Sequence, residues 1–146
     1  MKKMAIILAI LAFTGLSVGL YLYFKPVKNL TKEKADYAIA TAAEAEEIAQ
    51  ALLQNQAFYY GKIFEWTGRI LEISLDENGG GYLLIEIPDT KLLINAQLDF
   101  RVKNLNIQSG EVYTIRGEFT GLEEDLIDPN ALIIYFKQSI VIQPSI

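Results

Sequence analysis

Histidine and cysteine are both absent from this chain. Any chemistry must therefore come from carboxylates, tyrosines, one tryptophan and a few scattered cations. The absence removes Ser-His and Cys-His nucleophiles, disulfides, and zinc sites built on thiolate or imidazole. It also removes the commonest general base near neutral pH. Glu123, Glu124, Asp125 and Asp128 cluster in sequence. Oxygen donors of this kind suit a hard cation, but no fixed ligand spacing is matched, so a solvated loop is expected. The run Asp76-Glu77-Asn78-Gly79-Gly80-Gly81 starts like a calcium loop. The pattern wants a carboxylate at its fifth and twelfth positions, where this chain has Gly80 and Ile87, so a turn is expected instead. Trp66, Tyr82, Tyr113 and Tyr135, with Arg69, Lys91 and Arg116, are types that could stack bases and track phosphates. Glycine-rich phosphate loops are missing, since Gly79–Gly81 leads into a strand and not a helix. The ligand-binding candidates are Arg69, Tyr82, Lys91, Arg116, Glu123 and Asp125. No catalytic residue, metal site or cofactor is expected.

The elements that must position these residues carry opposite charge. Residues 1–34 hold six lysines against Glu33, for +5. Residues 35–146 hold the other seven basic and seventeen acidic residues, for -10. That split reads as a basic membrane-proximal arm on an acidic domain. Three scattered cations on such a domain make no phosphate-tracking groove, so nucleic acid is an unfavoured partner.

Met4 to Phe24 is 21 residues without a charge, with Thr14 and Ser17 as interruptions. At 1.5 Å per residue it is about 31 Å long, which matches the hydrocarbon core of a bilayer. Tyr21, Tyr23 and Phe24 stand at its end, where amphipathic rings favour the interface. A cleaved signal peptide is the competing reading, with Lys2 and Lys3 as its charged start and Ser17-Val18-Gly19 as a cleavage site. The apolar run outlasts the usual ~7–15 residues of such a segment and continues past that site. We therefore expect a retained transmembrane anchor over 1–24, embedded in lipid through residues 4–24. Lys25, Lys28, Lys32 and Lys34 on its far side argue against export of the C-terminal part, while the signal-like start argues for it. The expectation sides with export from the inner membrane. Residues 25–36 read as a basic connector holding the domain a little off the bilayer.

Residues 37–146 read as one domain. Thr41-Ala42-Ala43-Glu44 is a capping box opening a helix from Ala42 to about Phe58. Ala45, Ile48, Ala49, Leu52 and Leu53 form its apolar stripe. After Gly61 the period drops to two. Strands are expected at 62–75, 82–87, 91–98, 111–120 and 132–142, with irregular chain at 99–110, one helical turn near Leu105, and an acidic loop at 121–130. Phe64, Trp66, Gly68 and Ile70 share one face, then Leu71, Ile73 and Leu75 continue in the opposite phase. That slip implies a bulge, letting one strand serve two sides of a small barrel. Five strands led by a long coiled one, with a meander and then two more, are the order of an OB-fold; a sandwich would want about seven. The fold class expected is mainly β: a five-stranded OB-fold barrel preceded by one amphipathic helix, with an N-terminal transmembrane helix.

Tyr60-Gly61-Lys62, Trp66-Thr67-Gly68-Arg69-Ile70, Gly110-Glu111-Val112-Tyr113-Thr114-Ile115-Arg116-Gly117 and Thr120-Gly121-Leu122 carry a resemblance. Over residues 35–142 the chain resembles the tRNA_anti-like family of small bacterial membrane-anchored OB-fold proteins. The resemblance implies a helix before the barrel, an N-terminal anchor or lipoprotein signal, and no catalytic residues. The cysteines that some members carry in the strands are absent here, so no redox role follows. Together these features lead us to expect a non-catalytic envelope module that engages a protein or glycan partner through the barrel face and the loops 76–81 and 121–130. The alternative is a nucleic-acid-binding module facing the cytoplasm. A metal-dependent hydrolase using Asp125 and Asp128 is the third reading.

Overall fold

A computed structural model describes residues 2–24, 27–103 and 105–142. The first element, α1 (Lys2–Phe24), is a single continuous helix. Its stretch Lys3–Phe24 is long and apolar enough to cross a membrane. The hydroxyls of Thr14 and Ser17 donate to the carbonyls of Ile10 and Phe13 in their own helix, so neither needs an outside partner.

A short strand, β1 (Tyr37–Ile39), then precedes α2 (Ala42–Gln54). The capping box at Thr41 forms as its residue types require: the Thr41 hydroxyl accepts from the Glu44 amide, and the Glu44 carboxylate accepts from the amides of Ala40 and Thr41. Those amides hold the Glu44 carboxyl below its usual range. The helix expected to run to Phe58 breaks at Asn55, whose backbone leaves helical geometry and whose side chain caps a separate turn, α3 (Gln56–Tyr59). Ala45, Ala49 and Leu52 of α2 enter the core and Ile48 packs against it. Leu53, expected on the same stripe, is exposed instead.

Five strands close the barrel: β2 (Ile63–Leu75), β3 (Gly81–Glu86), β4 (Leu92–Leu98), β5 (Val112–Glu124) and β6 (Leu132–Ile142). The order around it is β2-β3-β4-β6-β5, with β5 returning to β2. Only β4 and β6 run parallel within the ring. This is the OB-fold barrel expected, with β1 added alongside β2 in parallel. The first half of β2 pairs with β5 and the second half with β3. The register slips between Ile70 and Glu72, where the phase of the sequence changes. Gly68 is required at this curl, because a Cβ there would lie 2.4 Å from the Ile85 side chain and 2.8 Å from the Glu86 carbonyl.

The barrel interior holds Phe64, Trp66, Ile70, Leu83, Ile85, Ile94, Ile115, Phe119, Ile134 and Phe136 in one cluster. Trp66 is 1% exposed, so it is core and not a stacking platform. Three further expectations change. First, β5 runs on to Glu124 by pairing with the start of β6, so Glu123 stands on a strand and the loop begins at Asp125. Second, the segment near Leu105 carries no helical turn among the described residues. Third, described residues 27–36 do not hang free between helix and barrel. Leu30 is fully buried against Ile63 and Ile140, with Ala35 and Val102 at the edge. The Arg116 guanidinium donates at 2.8 Å to the carbonyls of both Leu30 and Glu33. Arg101 donates to the Lys28 carbonyl at 2.7 Å. Asp36 and Ile63 exchange two hydrogen bonds of 2.8 Å. A connector with four such attachments is a strap bound to the barrel.

Candidate functional site

Alternation along β3 and β4 sends one set of side chains inward and the other outward. The inward set is Leu83 and Ile85 on β3, with Leu92, Ile94, Ala96 and Leu98 on β4. Outward on the same strands stand Tyr82, Asn95 and Gln97, with Tyr82 opposite Gln97. Tyr135 of β6 pairs directly with Asn95, which extends this polar face across the parallel ladder. These residues, with Thr120, Phe100 and the loop Asp76–Gly81, line a shallow trough of about 510 Å³.

Both tyrosines are fixed by carboxylates. The Tyr82 hydroxyl donates to Glu72 at 2.8 Å, and the Tyr135 hydroxyl donates to Glu123. Each hydrogen bond holds its phenol in the protonated form. Tyr82 is raised above its ordinary value by Glu72. Tyr135 is pushed up to about 12 by its bond to Glu123, then by partial burial and the charges of Glu123 and Asp125. The single O–H of each ring is thus committed to its carboxylate, which leaves the phenol oxygens and the carboxylate lone pairs as acceptors toward the trough.

The loop at one end of the trough is built from glycine because of its backbone. Gly79, Gly80 and Gly81 have φ of 101°, 85° and 119°, and a Cβ on Gly81 would lie 2.0 Å from the Ser74 carbonyl. The loop is also pinned, with the Gly80 amide donating to the Val102 carbonyl at 3.1 Å. At the opposite end of β4 and β6, Asp125 and Asp128 organise their own loop. Asp125 accepts from the Ile127 amide at 2.9 Å and Asp128 from the Asn130 amide at 3.0 Å. The amide of Asn130 and the nearby Lys91 hold the Asp128 carboxyl below its usual range. These turns thrust Leu126 and Ile127 into solvent, 99% and 94% exposed.

The six sequence candidates fall in separate places. Tyr82 lines the trough, and Glu123 sits behind it as the acceptor for Tyr135. Arg69 lies where β2 changes partners and faces Glu86 at 3.8 Å. Lys91 reaches Asp128 at 3.4 Å and lines a groove against α2 at the other end of the barrel. Asp125 belongs to the β5–β6 turn. Arg116 grips the strap and Glu65, away from the trough. Asn95, Gln97 and Phe100 were not among the candidates. The two amides were legible from their outward phase on β4, whereas Phe100 lies in irregular chain and gave no periodic signal. Among the described residues, no group of three or more acidic side chains is placed to hold a metal ion. Comparison with protein-family models and with curated proteins finds no match to this chain.

Proposed function

We propose that this chain is a single-pass membrane-anchored OB-fold module of the tRNA_anti-like kind, carried on the outer side of a bacterial inner membrane. It binds a partner and performs no reaction. Its ligand is a glycan strand lying across β3, β4 and β6. The trough is the observation that carries this reading: two tyrosines oriented by carboxylates, with their oxygens left as acceptors, the amides of Asn95 and Gln97, and no basic residue among its lining. Hydroxyl-rich sugars are recognised by such amides, phenols and carboxylates, with ring faces supplying apolar contact. A phosphate backbone would meet acids here and no cation, which weighs against the nucleic-acid reading.

The full chain in lipid nanodiscs, applied to a glycan array, tests the proposal. Retention of an oligosaccharide class, lost in Tyr82→Ala and Gln97→Ala, is the expected result. Turnover of a substrate would sink the reading, and so would salt-sensitive oligonucleotide binding without glycan retention. A protein partner is the second reading, favoured by the exposed Leu126–Ile127 pair. It predicts that a binding partner is lost on Leu126→Ser with Ile127→Ser while the trough variants retain it. Reporter fusions after Ile146 test the orientation, and an inside signal would move the nucleic-acid reading forward.

A further inference from the structure

We infer that the strap seats one end of the barrel directly on the bilayer, with the turn Asp99–Lys103 at the headgroups. This rests on the proposal that α1 is a retained membrane anchor. If Met4–Phe24 fills the hydrocarbon core, Phe24 lies at its edge. Four chain steps separate Phe24 from Lys28, and a fully extended chain covers at most about 14 Å in four steps. The Lys28 carbonyl is held by Arg101, whose side chain also grips the buried carboxylate of Asp99. That carboxylate is held below its usual range by Arg101, so the grip is ionic at neutral pH. Leu30 and Arg116 fix the next turn of the strap. The anchor therefore leaves the hydrocarbon core and is captured by the barrel within at most about 14 Å, a headgroup layer of about 5–8 Å plus a few ångströms. That span bounds how far the barrel can drift outward.

The residues brought down suit that layer. Phe100 is 61% exposed, beside the Arg101 guanidinium at 5.4 Å. An exposed aromatic beside a cation is the composition of an interfacial contact. Lys103 stands exposed on the same turn. Of the acids nearby, Asp99 is engaged by Arg101, and Glu118 by Lys28 and Lys137. Asp76 and Glu77 on the adjoining loop leave this end close to neutral overall, so tether length and Phe100 hold it down more than charge does. The β5–β6 turn lies at the other end of β4, a strand of about 20 Å at 3.3 Å per residue. One rim of the trough, at Phe100 and Gly79–Gly81, would then open at the membrane surface, and a ligand would be met there.

The chain has no cysteine, so single labels are simple to place. Full-length Lys103→Cys, Leu126→Cys and Thr14→Cys would each carry an environment-sensitive fluorophore in phosphatidylcholine vesicles. The vesicles would contain nitroxide lipids with the quencher at the headgroup or deep in the chain. Headgroup quenching at position 103 should exceed that at 126 several-fold and persist at high salt. Deep quenching at position 14 reports the anchor. Deep quenching at 14 with equal headgroup quenching at 103 and 126 would overturn the seating and leave the anchor standing. Absence of deep quenching at 14 would overturn both.

Discussion

Leu30→Ala isolates the strap. Leu30 is fully buried, but its pocket is a small satellite of Ile63 and Ile140 at the barrel surface, separate from the main core. Leu→Ala changes in cores cost about 2–5 kcal/mol, with the low end where the site can collapse. A surface strap can settle into the space left, so about 2–3 kcal/mol is expected here. At the entropy of unfolding usual for a domain of this size, each kcal/mol moves Tm by about 4 °C, so Tm should fall by about 10 °C. The assay is thermal unfolding of the full chain in detergent, paired with hydrogen exchange over residues 27–40. The strap's own hydrogen bonds, from Arg116 to two carbonyls and between Asp36 and Ile63, sit in the segment that loosens first. Faster exchange there with a smaller Tm shift would mean that the strap undocks before the barrel melts. An unchanged Tm together with unchanged exchange over 27–40 would refute the docked strap.

Gly117→Ala should destabilise by about 1–3 kcal/mol, because the added Cβ would meet the Ser139 hydroxyl at 2.6 Å and the Phe136 side chain at 2.7 Å. Chemical denaturation measures it. Thr41→Ala removes the side-chain half of the capping box and should cost about 1 kcal/mol in the same assay, with Thr41→Ser restoring most of it. Ultraviolet titration should show one tyrosine ionising near pH 12 in the native protein, and Glu123→Gln should bring it down. Since the fold holds Tyr135 protonated, its contribution to stability is complete below about pH 10 and is lost as pH rises toward that folded value.

The barrel was legible because its signals are local. Strand period, the phase slip at Leu71, and Gly68 and Gly117 at bends are each set by a few neighbouring residues. The capping box at Thr41 is likewise a four-residue signal, and it formed as read. Boundaries failed where pairing overrode composition. Glu123 and Glu124 look like loop residues in a row of acids, yet β6 offers them partners at Ile133 and Leu132, and the ladder continues. β1 was missed because three residues of strand carry no period and exist only through their parallel partner. The candidate site was half legible. Outward phase on β3 reveals Tyr82, but the assembly of Tyr82, Asn95, Gln97 and Tyr135 into one trough depends on β4 lying beside β6.

Residue order was enough to specify an apolar helix of membrane-spanning length, an acidic barrel after a basic arm, and the absence of thiol and imidazole chemistry. Those properties follow from composition and short-range periodicity, which no packing can alter. Tertiary structure alone decided what the cations do. Arg116 reads as a ligand-binding residue in sequence, but it meets the strap across 86 residues of chain. Arg101 is two residues from Asp99 and seventy-three from the Lys28 carbonyl that shares its guanidinium. A guanidinium bonds whichever acceptors folding brings within 3 Å of it, and contacts over such separations exist only once the barrel has closed.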